Sequence, residues 1–280
     1  MSVVIGIDVG GSTTKIVGFR TVNGKNEIIA PQCVHANDPL TATYGAFGKF
    51  TDENGISLKE IDKIMMTGVG SAYVKNGIYG VECFGVPEFE SIGLGAIYLS
   101  KLDNVLAVSM GTGTALVHAS SGGKMTYLGG TGVGGGTIVG LSKLLLHAEN
   151  IENISELAEK GDLSKIDLRI GDITAPNILT SLSRDLTAAN FANVSDLAKK
   201  EDIARGIVNM VFETVAMVSV FAARQCDAKD IILTGNLTRL PLCEQKFTEL
   251  AGFGYGVNFI IPENSEFATV IGSALAGITP

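Results

Sequence analysis

The sequence predicts an α/β protein of two related lobes facing one another across a cleft, and three observations carry that prediction. Short apolar runs alternate along the chain with stretches of helical period. A unit of strand, glycine turn and strand at residues 3–19 recurs at residues 104–119, as expected of a duplicated lobe. At 280 residues, one lobe would make an unusually large single core. The boundary is expected near residue 103, giving lobes over 1–103 and 104–280.

The opening unit sets the pattern. Val3-Val4-Ile5-Gly6-Ile7 reads as a buried strand that ends on Asp8. A turn of glycines, hydroxyls and one cation follows, and residues 15–19 lead back out as a second strand. Glycines at 10 and 11 let backbone amides approach an anion, and the Ser12 and Thr13 hydroxyls add donors. Asp8 is placed to hold Mg²⁺ directly or through water, because that cation wants oxygen ligands. The alternative is an ordinary tight hairpin whose Asp8 satisfies turn amides. Neither a Walker A loop nor GxGxxG is present.

Residues 27–30 supply a third strand, and residues 38–55 read as a helix with Asp38 as its cap and Pro39 at its first position. Residues 61–67 make a strand that runs into Gly68-Val69-Gly70-Ser71. Pro87 starts a helix over 88–102 whose apolar face carries Phe89, Ile92, Ala96 and Leu99. The second unit then begins: a strand over 104–109, the turn Met110-Gly111-Thr112-Gly113-Thr114, and a strand over 115–119. After the Gly122-Gly123 hairpin, residues 125–128 continue the sheet.

The richest glycine run, residues 129–137, opens onto a helix over 138–147. Free amides and the positive end of a helix dipole make an anion site there, a flexible loop being the alternative. Residues 151–170 are charged and mostly helical, and residues 183–194 form a loop without periodicity. The helix over 201–226 is apolar on most faces, so it is buried in the core or against a second subunit. A central strand over 230–234 ends at Gly235-Asn236-Leu237-Thr238, and a small-residue helix over 266–278 closes the chain.

A net charge of −8 argues against nucleic acid and anionic membrane as partners. A phosphate site must then be built locally, from amides and metal. The four cysteines lie far apart without CxxC, a pattern of reduced thiols in a cytoplasmic protein. No N-terminal signal is visible, and the apolar stretch over 207–222 is broken by Glu213 and short for a bilayer. The expectation is a soluble, cytoplasmic protein. His35, His118 and His147 do not cluster and read as structural.

Three glycine turns in this order converge on a nucleotide. The succession GIDVGGSTTK, VPEFESIGLG, SMGTGT, LGGTGVGGGT, DLTAANFANV, ILTGNLTRL and EFATVIGSALAG resembles the type II pantothenate kinases, members of the actin, sugar-kinase and Hsp70 nucleotide-binding superfamily. The resemblance runs nearly end to end. It implies a homodimer of two actin-like (ribonuclease H-like) lobes with an interlobe ATP cleft. It also implies transfer of the γ-phosphoryl group of Mg-ATP to the primary hydroxyl of pantothenate, the entry step of coenzyme A synthesis.

Position by position, the resemblance implies that Asp8 orients Mg²⁺ and the attacking hydroxyl, while Gly10, Gly11, Ser12, Thr13 and Lys15 meet phosphate. Gly111, Thr112, Gly113 and Thr114 would form the second phosphate turn, Gly134, Gly135, Gly136 and Thr137 the helix start beside the nucleotide, and Gly235 and Asn236 the adenosine-side turn. Ser109, Tyr127, Ala189 and Asn190 are expected on the acceptor side. Glu88 falls on the family's catalytic carboxylate. A primary alcohol is a poor nucleophile, and a carboxylate within hydrogen-bond reach can take its proton. An inert first-turn glutamate is the plainer alternative for Glu88, and Glu90 and Asp8 are rival bases.

One departure bears on the acceptor. Family members usually carry, where this chain has Tyr127, an arginine that contacts the acceptor's carboxylate. A tyrosine cannot form that bidentate pair. Either Lys124, Arg169 or Arg184 compensates, or the acceptor lacks a carboxylate, as pantetheine does. Two further readings keep the fold: a sugar kinase, though the paired polar and acidic acceptor loop of such kinases is not found, or an ATP-switched enzyme activator, though nothing around Cys83 or Cys226 resembles an iron–sulfur cluster loop.

Overall fold

The apolar runs and capping residues place the elements of the first half of the chain. In the computed structural model, which describes residues 2–11, 13–35, 38–74, 77–174 and 183–278, β1 (Ser2–Val9) and β2 (Thr14–Val22) form the first hairpin and β3 (Lys25–Val34) extends it. Then α1 (Pro39–Glu53) starts at Asp38, whose carboxylate accepts the Thr41 amide at 2.6 Å. Next come β4 (Ile61–Thr67), the short β5 (Cys83–Gly85) and α2 (Glu88–Ser100), with Pro87 at its N-cap. The second repeat follows as β6 (Asn104–Met110) and β7 (Thr114–Ser120).

The glycine run feeds a helix, as expected, but both of its ends are regular structure. Its first residues extend β8 (Thr126–Thr131), and its last begin α3 (Gly135–Leu146). The charged stretch after it holds α4 (Ile151–Glu159), β9 (Leu168–Arg169) and α5 (Ile170–Ile173). The loop over 183–194 contains β10 (Thr187–Ala189), paired antiparallel with β9. The 26-residue α6 (Lys200–Gln225) precedes β11 (Asp230–Thr234). Three elements close the chain: α7 (Pro241–Ala251), β12 (Asn258–Ile260) and α8 (Ala268–Ala276).

Two units form. Unit 1 comprises Met1–Ala107, Val117–Leu128 and Pro262–Pro280; unit 2 comprises Val108–Leu116 and Gly129–Ile261. Neither is one continuous run, and the expected cut at residue 103 falls within the first stretch of unit 1.

Unit 1 is built on a five-stranded sheet of order β3-β2-β1-β4-β5. β1 is central, antiparallel to β2 and parallel to β4, and β4 is parallel to β5. On one face Ile5, Ile7, Ile16, Ile64 and Met66 pack with Phe47 and Phe50 of α1. On the other, Val17 and Phe19 pack with Val270, Ile271 and Ala274 of α8. Helices α2 and α8 lie so close that a Cβ on Gly95 would stand 1.9 Å from the Ala268 carbonyl oxygen, and one on Gly272 1.8 Å from that of Ser91.

The second sheet has the order β12-β11-β6-β7-β8. In unit 2, α6 is the core helix, with Ile207, Val211, Phe212 and Val215 buried and α3, α4 and α7 packed along it. It is long and apolar enough to cross a membrane by length and composition, but most of that stretch is buried inside the fold.

Candidate active site

Strand register assembles the first part of the site. Asp8 is the direct partner of Lys15 on β2 and of Thr67 on β4. Directly paired residues share a face of the sheet, so the three side chains form a row on the α8 face at the C-terminal ends of the parallel strands β1 and β4. The junction from β5 to α2 then delivers Glu88, exposed, at the first position of α2. Burial pushes the Asp8 carboxyl up to about 6; the Lys15 charge opposes that shift, and the Glu88 charge adds to it.

Lys15 is buried, donates a hydrogen bond to the Glu266 carbonyl oxygen and lies 5.9 Å from the Phe267 ring centroid. It turns toward the residues before α8, and its charge opposes the upward shift of Asp8. At the hairpin tip the Gly10 amide donates to the Thr13 carbonyl at 2.9 Å, closing the turn, while Gly11 is exposed. Ser12 lies outside the described residues. Beside this turn Gly68 has φ 84°, and a Cβ there would fall 2.6 Å from Asp8 Oδ1 and 2.5 Å from the Val9 carbonyl oxygen. A glycine is required for Asp8 to lean over the end of β4.

Unit 2 brings its three glycine turns together. The Gly135 and Gly136 amides donate to the carbonyls of Gly111 and Thr112 at 2.9 and 2.8 Å, and the Thr114 hydroxyl donates to the Val133 carbonyl at 2.9 Å. A Cβ on Gly134 would meet the Thr112 carbonyl oxygen at 2.7 Å. At Gly235, φ is 92° and a Cβ would sit 2.5 Å from the Met110 carbonyl oxygen, so the turn bearing Asn236 rests against the end of β6. This corrects one expectation. The first amides of α3 are not free donors, because the second hairpin caps them, as the Gly134 carbonyl takes those of Thr137 and Ile138.

The acceptor-side residues fall in different surroundings. Tyr127 is exposed and stacks on Phe89, the neighbour of Glu88, with ring centroids 3.9 Å apart and planes 12° from parallel. Ser109 is half-buried on β6, and Ala189 is exposed at the end of β10. The Asn190 side chain points into a polar network. It donates to Glu213 at 3.0 Å and to Asp167 at 3.4 Å. Asn209 also donates to Asp167 at 2.8 Å, and Lys246 meets Glu213 at 2.8 Å.

A family model named Fumble matches residues 25–250. The chain belongs to the Fumble family of type II pantothenate kinases. The relatives of this Fumble-family chain include the type II pantothenate kinase of Bacillus anthracis, 31% identical over 247 residues that cover 84% of this chain and 83% of the relative. The Bacillus cereus enzyme of the same name is 29% identical over 241 residues, 83% of each chain. Among solved structures, component A of the Acidaminococcus fermentans (R)-2-hydroxyglutaryl-CoA dehydratase aligns with a TM-score of 0.69 at 18% identity, covering 99% of this chain and 97% of its own. The activator of the Clostridium difficile 2-hydroxyisocaproyl-CoA dehydratase, with bound ADPNP, aligns with a TM-score of 0.64 at 16% identity, covering 98% and 93%. At those identities the likeness establishes the fold: two lobes of the actin-like class.

Sequence reasoning for this Fumble-family chain missed Thr67 and the partners of Lys15, Glu266 and Phe267. The signal for Thr67 was weak, a hydroxyl at a strand end, and only the parallel pairing of β1 with β4 gives it meaning. Among the described residues, no group of three or more His, Cys, Asp or Glu side chains gathers to hold a metal. The donor set fits a cation that brings most of its own oxygens: one carboxylate, Asp8, whose proton affinity burial raises.

Proposed function

We propose that this chain is a cytoplasmic, homodimeric kinase that phosphorylates the primary hydroxyl of pantothenate to 4′-phosphopantothenate, using Mg-ATP. The observation that carries the reading is the row of Lys15, Asp8 and Thr67 at the ends of β1, β2 and β4, with Glu88 exposed at the start of α2, in a chain whose relatives are named type II pantothenate kinases. ATP supplies the phosphoryl group, and Mg²⁺ neutralises charge on it. Asp8 is the residue that would hold the metal. The Gly10 to Thr13 turn and the Gly111 to Thr114 turn, braced by Gly134 to Thr137, would bind phosphate, and Gly235 with Asn236 the nucleoside.

Glu88 would accept the proton of the acceptor hydroxyl as that oxygen bonds to the γ-phosphorus and the bond from the γ-phosphorus to the β–γ bridging oxygen breaks, ADP being the leaving group; being exposed, Glu88 can pass that proton to water. Lys15 opposes the shift that burial imposes on Asp8 and so helps to keep that carboxylate ionised. Phosphoryl transfer needs little more from the protein than this placement and charge balance.

A second acceptor has one observation in its favour. The Phe89–Tyr127 stack beside Glu88 presents an aromatic surface and one hydroxyl, better matched to an uncharged amide-bearing alcohol such as pantetheine than to a carboxylate. A coupled assay of ADP release with pantothenate, pantetheine and common sugars, with product mass determined, tests both. Acceptor-dependent turnover with pantothenate supports the proposal, a preference for pantetheine selects the second acceptor, and ATP hydrolysis indifferent to every acceptor refutes the kinase.

A further inference from the structure

The row Lys15–Asp8–Thr67 contains one group that the mechanism above leaves unused. Thr67 is 1% exposed, and its Oγ1 has no hydrogen-bond partner among the described residues. A buried hydroxyl without a partner is uncommon, because its desolvation is uncompensated. Thr67 pairs with Asp8 across the parallel β1–β4 ladder, so both side chains leave the same face of the sheet. Along β4 the same face carries Met65, in a cluster with Val4 and Val86, and Val86 leads through Pro87 to Glu88. The hydroxyl thus lies on the strand between the one that ends in Asp8 and the one that leads to Glu88. Asp8 leans toward it, since its Oδ1 occupies the space where a side chain on Gly68 would begin.

We propose that Thr67 is a positioning residue of the phosphoryl-transfer site, whose hydroxyl hydrogen-bonds a coordinated water of the divalent cation that Asp8 holds. The inference rests on the functional reading above, because it takes Asp8 as the metal's anchor. Its physical content is separate: the hydroxyl is built for an oxygen ligand and does nothing for the folded chain alone. Replacing an unpartnered buried hydroxyl with a methyl group of the same shape is neutral or stabilising, whereas removing a structural hydrogen bond destabilises.

The test compares Thr67→Val and Thr67→Ser with the unaltered full-length protein in three measurements: melting temperature without ligand, Mg²⁺ dependence of ADP binding by calorimetry, and steady-state kinetics. Thr67→Val is expected to melt at the same temperature or higher. The Mg²⁺ concentration for half-maximal nucleotide binding should rise about tenfold, the order of one lost hydrogen bond. The turnover number should fall while the KM for the acceptor stays unchanged, and Thr67→Ser should restore both. A melting temperature several degrees lower with unchanged Mg²⁺ dependence would make Thr67 structural and overturn the proposal. So would an effect confined to the acceptor's KM. Mg-ADP binding needs no acceptor, so a protein that binds it with the expected Thr67 dependence yet phosphorylates nothing refutes the kinase alone. A working kinase indifferent to Thr67→Val refutes this inference alone.

Discussion

At the scale of residues, the site is a contest between burial and charge. Glu88 is exposed, whereas Asp8 is half-buried and its carboxyl is raised from 3.8 to about 6. The two roles assigned to them, base and metal anchor, require different substitutions to test. Glu88→Gln keeps shape and hydrogen bonding but removes the proton acceptor; turnover should drop by about two orders of magnitude or more while nucleotide affinity stays within about twofold. Near-normal turnover would remove Glu88 from the base position. Asp8 permits a test in stability. A carboxyl whose proton affinity is raised on folding makes the native state lose stability as pH rises from about 4 to about 6, and the deficit persists above that range. Asp8→Asn removes the deficit, so the ligand-free variant should melt higher than the parent at pH 7.5. The advantage should vanish near pH 4, and Mg²⁺-dependent nucleotide binding should be lost at every pH. A variant that melts lower at pH 7.5 contradicts the burial argument.

At the scale of elements, the sequence is legible where a run is long or a cap is strong. Strands β4 and β11 occupy the expected residues, and Asp38, Pro39 and Pro87 start their helices where capping predicts. What escapes is short or held by partners distant in sequence. Strands β9 and β10 have two and three residues, too few to carry a period, and they pair because a polar network fixes the flanking segments. Helix α7 went unseen because its apolar positions are interspersed with charge, and one of those charges, Lys246, belongs inside. Burial pushes Glu213 upward, but Lys246 and the hydrogen bonds from Asn190 and Thr187 outweigh it and leave its carboxyl below the ordinary range. The network contributes stability above that range and loses it as pH falls. Lys246→Met leaves Glu213 uncompensated and should destabilise the protein by about 3–5 kcal/mol at neutral pH. The loss should shrink in acid and be largely recovered by adding Glu213→Gln. Urea denaturation at two pH values decides it, and a loss independent of pH would mean that packing, not charge, holds α7 to α6.

At the scale of the whole molecule, the chain's end returns to its beginning. The segment 262–280 belongs to unit 1, where α8 covers the sheet face opposite α1 and Glu266 receives the Lys15 ammonium. Sequence reading finds a small-residue helix there but cannot say what it covers, because its fit depends on Gly6 and Gly272 meeting neighbours far away in sequence. A Cβ on Gly6 would stand 2.5 Å from the Val270 carbonyl oxygen. The same limit hides half of the candidate site: the residues are visible as motifs, but the row of Lys15, Asp8 and Thr67 exists only once β4 is set beside β1. The arrangement makes a strong demand on folding. A chain ending at residue 261 would expose Val17 and Phe19, each worth about 1.5–3 kcal/mol when buried, and would leave Lys15 without its carbonyl partner. Losses of that size rival the total stability of a domain. Hydrogen exchange on the shortened chain should therefore show the amides of β1, β2 and β4 unprotected. Native-like protection in those strands without residues 262–280 would mean that α8 merely decorates a sheet that is stable by itself, and unit 1 would have to be redrawn.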